Sequence, residues 1–256
     1  MPNWLQTLAD RFAGKPKAIP ESLWLATLHH YPFLASRAAA EQQQLRVLAG
    51  RFLKHKEFSG AHGLTVTDEM AVAIAAQACL PVLNVGLGWY DDFTGIVLHP
   101  GAMLARRETT DAAGVVHHYR EALLGEAMQG GPVTLSWRDV AASGQQAERG
   151  HNVVIHEFIH KIDMRDGVAD GCPPLPSRKA HATWRAVMQP AYDAFCEQVA
   201  RAERFGAEPP WLDAYGATSP AEFFAVACEA YFVNRERFTL DFSALTALFD
   251  RFFKKN

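Results

Sequence analysis

Apolar residues recur at steps of three and four through much of the first eighty positions, the period of a helix with one buried face. The pattern predicts helices over residues 4–12, 21–28, 38–58 and 67–80. The segments Asp10-Arg-Phe-Ala-Gly-Lys-Pro16 and His30-Tyr-Pro-Phe33 interrupt it with glycine and proline. Short strand-like runs follow at 82–85, 94–99, 115–119 and 133–137, the last bounded by Gly-Gly-Pro and a polar turn. The helical period then returns around 151–165, over 178–205 and 219–233, and near 242–253. Neither a repeat nor a polar linker divides the chain. The reading is an α+β fold, mainly helical, with a small mixed sheet packed on one helix. Residues 1–80 form a helical N-terminal part and 81–256 the core of a single compact unit, 1–256.

The helix around 151–165 carries the chemistry. It reads His151-Asn-Val-Val-Ile-His-Glu-Phe-Ile-His-Lys-Ile-Asp-Met-Arg165 and contains His-Glu-x-x-His. Val153, Val154, Ile155, Phe158, Ile159 and Ile162 make a broad apolar stripe, while His156, His160 and Asp163 make a second stripe. His156 and His160 stand one turn apart on one face, so both imidazoles can reach a single metal at about 2.0–2.1 Å. Glu157 sits about 100° round the same helix, where it can take a proton from a water that the metal activates. Two buried histidines without partners would be costly, and a shared metal explains the pair better than two separate solutions. Asn152, following Gly150, is a natural N-cap.

Hydrolytic zinc sites keep three protein ligands and one open position. Asp166 lies six residues after His160, a spacing some zinc peptidases use, but those chains place a glycine midway. Here Asp163 stands midway and Gly167 comes only after Asp166. Asp163 reads as a hydrogen-bond partner of a ligand histidine, or as a local cap. Glu222 is the stronger candidate. It could simply complete a capping box with Ser219 and Pro220, yet in the first turn of an otherwise apolar helix it points towards the interior or a cleft at least as readily as towards water. Glu229, seven residues on, is the fallback ligand or a group that orients a ligand.

The stretches Gly150–Gly167, Pro173-Pro-Leu175, Ser219-Pro-Ala-Glu-Phe-Phe-Ala-Val226 and Gly131-Pro-Val-Thr-Leu-Ser-Trp-Arg-Asp-Val140 resemble the Mlc titration factor A family. The likeness is densest between about residues 85 and 235. It implies a zincin-like metallopeptidase core similar to that of anthrax lethal factor, with one Zn2+ per chain on His156, His160 and Glu222. In that group a tyrosine precedes the ligand glutamate by seven residues. The corresponding Tyr215 would donate its hydroxyl to the oxyanion of the tetrahedral intermediate. The resemblance further implies aminopeptidase-like action on short peptides and binding to a transcriptional repressor of glucose phosphotransferase genes. The rival reading is a repressor-sequestering protein whose zinc site is secondary. A purely structural zinc would have four closed protein ligands, which favours the enzyme.

Composition narrows the partners. The 256 residues are 49% hydrophobic and 21% charged, with net charge −3 and no long basic run, so no direct nucleic-acid partner is expected. The first residues lack a basic start leading into an apolar run, and no apolar stretch is long enough to span a membrane. Cys79, Cys172, Cys196 and Cys228 form no Cys-x-x-Cys pair; three read as buried and Cys172 as exposed in its loop. A cytoplasmic protein fits these features. In zinc peptidases of this general kind a sheet edge beside the metal helix pairs with extended substrate; residues 133–136 are the candidate for that edge, and the alternative is an ordinary internal strand.

Overall fold

The computed structural model describes residues 18–101, 103–110, 116–123 and 125–254; the helix expected over 4–12 lies outside them. Helices α1 (Glu21–His30), the short α2 (Pro32–Ala35), α3 (Ala39–His55) and α4 (Asp68–Cys79) follow the apolar periodicity. The third ends earlier than expected. At Lys56 the backbone turns extended, and Glu57–Gly60 becomes strand β1. The strands after α4 are β2 (Gly95–His99), β3 (Met103–Thr110), β4 (Val116–Leu123), β5 (Gly125–Ala127) and β6 (Val133–Ser136). Residues 82–85, expected as a strand, form a turn in which Val82 and Leu83 are buried. A short apolar run records burial without specifying the backbone that achieves it.

The main sheet has the order β1-β2-β6-β5, with the first three strands parallel and β5 antiparallel to β6. Strands β3 and β4 make a separate antiparallel ribbon. Helices α5 (Trp137–Gln146), α6 (Val153–Asp163), α7 (Arg178–Phe205), α8 (Pro220–Val233), α9 (Arg235–Asp241) and α10 (Ser243–Phe253) complete the chain. Alternation along β2 and β6 buries Ile96, Leu98, Val133 and Leu135. Helix α6 packs against this sheet, α4 and α8. Its Phe158 ring meets Phe52, Tyr90 and Phe93 at 5.6, 5.0 and 5.9 Å. Helix α8 is apolar on nearly every side because it too is enclosed. No described helix is long and apolar enough to cross a membrane.

Lys56 sits at the join of α3 and β1 with its ammonium buried beneath this aromatic cluster. Nζ donates to the carbonyls of Tyr90, at 2.5 Å, and Phe93, and lies 3.8 Å from the Phe93 ring centroid. Burial pulls its pKa down to about 8, against the opposing pull of Asp92 and Asp91. Between that value and the unfolded lysine's ~10.4, the unfolded chain binds a proton that the folded chain has lost, so folding stability rises with pH. The stability difference between wild type and Lys56→Met, read from denaturant melts, should therefore shift in favour of wild type from pH 8 to pH 10. A difference that stays flat over that range contradicts the burial argument.

Candidate metal centre

The start of α6 is fixed by three consecutive residues. Gly150 has φ 80°, and a Cβ there would lie 3.1 Å from the Ala230 Cβ and 3.3 Å from the Trp211 ring. His151 Nδ1 reaches Asp213 Oδ2 at 3.5 Å. Asn152 caps the helix by accepting from Ile155 N at 2.9 Å, and its amide donates to Gln77 Oε1 at 2.8 Å. These contacts set the phase of the helix and so the direction in which His156 and His160 point.

The structure brings His156, His160 and Glu222 together. Glu222 Oε2 lies 3.0 Å from His156 Nε2 and 3.2 Å from His160 Nε2, and the two Nε2 atoms are 3.1 Å apart. Ligands on one tetrahedral zinc at about 2.0–2.1 Å stand ~3.3 Å from one another, so the donor set fits a metal ion. Glu222 is aimed from the first turn of α8. Ser219 Oγ accepts from Glu222 N at 3.2 Å, as a capping box requires, but the carboxylate turns to the histidines instead of back to the cap.

Glu229 orients the cluster. Its Oε1 accepts from His156 Nδ1 at 2.6 Å, and its Oε2 accepts from Asn152 N at 2.5 Å. With Nδ1 carrying the proton, the Nε2 lone pair is free to face the shared point. The electrostatics agree with a place built for positive charge. Burial opposes charge on His156, yet the Glu229 and Glu222 carboxylates raise its pKa well above the ordinary imidazole value. Burial would raise Glu222, but its hydrogen bonds to His156 and His160 hold it below the usual carboxylate range.

Glu157 is buried on the same helix, and burial pushes its carboxyl up to about 7 against the pull of His156 and His160. It opens with the cluster onto a cleft of about 720 Å³. Tyr215 stands on the cleft wall in the short turn Ala214–Ala217, its ring centroid 6.3 Å from that of His156. Asp213 caps this turn, accepting from Tyr215 N at 2.9 Å.

Other expected residues lie outside the donor set. Asp166 is exposed, accepts from Val168 N at 3.3 Å, and is not part of the donor set among the described residues. Asp163 is buried with Oδ2 accepting from Gly171 N at 2.9 Å, so it holds the following loop. Cys172, expected exposed, is buried with Sγ 3.5 Å from His181 Nδ1. The edge-strand expectation for Val133–Ser136 is also corrected: β6 is internal, paired on one side with β2 and on the other with β5. Beside α6 the edge is β5, whose Gly125 and Ala127 line the cleft. Sequence reasoning missed β5, His151, Asp213 and Gln77, none of which stands in a local pattern that marks it.

A helix-borne His-Glu-x-x-His whose histidines meet a glutamate from a second helix, beside an open cleft, is the centre of a metallopeptidase-like protein. Comparison with known proteins gives the family: the one described as glucose-regulated metallo-peptidase M90 matches residues 5–254, and the chain belongs to it. Among its relatives is Mlc titration factor A of Edwardsiella ictaluri, 38% identical over 226 residues, covering 88% of this chain and 84% of the relative. Mlc titration factor A of Serratia proteamaculans is 35% identical over 243 residues, 94% and 90% of the two chains. That of Yersinia pestis is 33% identical over 245 residues, 95% and 88%.

Proposed function

We propose that this chain is a cytoplasmic zinc-dependent peptidase, aminopeptidase-like on short peptides, that also binds an Mlc-like transcriptional repressor. The observation that carries the enzyme half is the meeting of three metal donors with the buried carboxylate of Glu157 on one cleft. His156, His160 and Glu222 would hold the ion, and two imidazoles with one carboxylate suit zinc. Bound there, zinc would supply Lewis acidity toward the scissile carbonyl and make water more acidic.

The chain's own groups do the rest. Glu157, with a pKa near neutrality, accepts the proton of the attacking water and returns it to the leaving amine. Tyr215 donates its hydroxyl to the developing oxyanion. Glu229 keeps His156 in the tautomer that presents Nε2. The open edge of β5 offers backbone groups to an extended peptide, giving affinity with little side-chain selectivity.

The repressor half rests on the relatives' name, Mlc titration factor A; in the rival reading that binding is the main function and hydrolysis is secondary. Chelation should abolish cleavage of short chromogenic peptides, and added zinc should restore it. A zinc-loaded protein that cleaves none of them would overturn the peptidase half. Calorimetry with the repressor tests the other half: undiminished binding by zinc-free protein separates the two roles, and absence of binding in either form removes the second.

A further inference from the structure

Glu157 has a neighbour that no metal or base motif contains. A Cβ built on Gly125 would lie 2.4 Å from Glu157 Oε1, 2.5 Å from its Cγ and 2.7 Å from its Cδ. Those are the three nearest atoms it would meet, and all belong to one side chain. Gly125 is not among the glycines with positive φ, so its backbone would accept alanine without strain. It pairs with Leu135 of β6 in regular register. Glycine inside a strand is normally a weakness, tolerated where something must approach the backbone closely. Here the thing that approaches is the buried arm of the base.

The strand that carries this glycine is tied to the helix that carries the base. Lys161, buried four residues after Glu157 on α6, donates from Nζ to the carbonyls of Met128 at 2.6 Å and Gly131 at 2.9 Å. These carbonyls belong to the turn that joins β5 to β6. The Lys161 ammonium also lies 4.4 Å from the Phe93 ring centroid. Helix and strand are therefore fixed relative to each other at both ends of β5: by the bare backbone at Gly125 and by the lysine at the turn.

We propose that Gly125 is a positioning residue for Glu157, its missing side chain forming the slot that seats the carboxylate beside the metal donors, with Lys161 holding that slot in register. The assignment deepens the peptidase reading and rests on it for its catalytic meaning.

A stability cycle tests the steric claim without reference to activity. Gly125→Ala should lower Tm when Glu157 is present and leave it unchanged, or raise it, in the Glu157→Ala background, where the arm is gone. Equal shifts in both backgrounds overturn the proposal. The double variant remains informative even if Gly125→Ala alone does not fold. In zinc-loaded protein, Gly125→Ala should keep its metal and its KM while kcat falls about 10²-fold, the scale of an ångström of misplacement. A wild-type kcat, or loss of zinc, removes the positioning role. If wild-type protein hydrolyses nothing, the enzyme reading fails, while the Tm cycle still reports whether Gly125 seats Glu157.

Discussion

Glu157→Gln keeps one equivalent of zinc and loses turnover by about 10²–10⁴-fold, the range typical of a removed general base. The substitution preserves shape and removes only the ability to take a proton. The three metal donors converge without Glu157, so metal content should not change. The amide also relieves the cost of burying a carboxylate that burial already pushes up to about 7, so the variant should melt no lower than wild type. Atomic absorption and a peptide-cleavage assay on the same preparation settle the matter. Turnover that persists at full zinc occupancy takes the base assignment away from Glu157.

The second large effect separates the carboxylates by what they touch. Glu222→Gln loses stoichiometric zinc, because its Oε2 is within 3.2 Å of both Nε2 atoms. Glu229→Gln should weaken zinc about 10–100-fold, the usual cost of losing a group that orients a ligand, because it holds Nδ1 of His156 and not the shared point. Asp166→Asn should bind zinc like wild type, since Asp166 lies in an exposed turn. Competition titration against a zinc chelator ranks all three. Zinc retained by the Glu222 variant and lost by the Asp166 variant would move the third ligand to the loop and leave Tyr215 without its role.

What could be read from sequence was what is local. The pair His156 and His160 with Glu157 between them is a helix-face pattern, legible once the apolar stripe of α6 is seen. The caps at Asn152 and Ser219 follow from residue type and position, and both form. Glu222 was half legible: its place in a capping box is local, but the turn of its carboxylate toward the histidines depends on packing between α6 and α8, 62 to 66 residues apart in sequence. Strand β5 was invisible because three residues, Gly-Glu-Ala, have no alternation to read; pairing with β6 makes them a strand. The same absence misplaced the sheet edge at Val133–Ser136. The continuation of α3 to residue 58 failed because propensity does not foresee a strand waiting in register on β2.

An open strand edge can adhere to any extended chain, including another copy of the same protein, and is an aggregation hazard. The three described residues of β5, Gly125–Ala127, offer fewer backbone groups than the five or six residues typical of a strand. So few backbone groups give a second copy little to pair with, and in the peptidase reading proposed above an edge that receives peptides costs little in solubility.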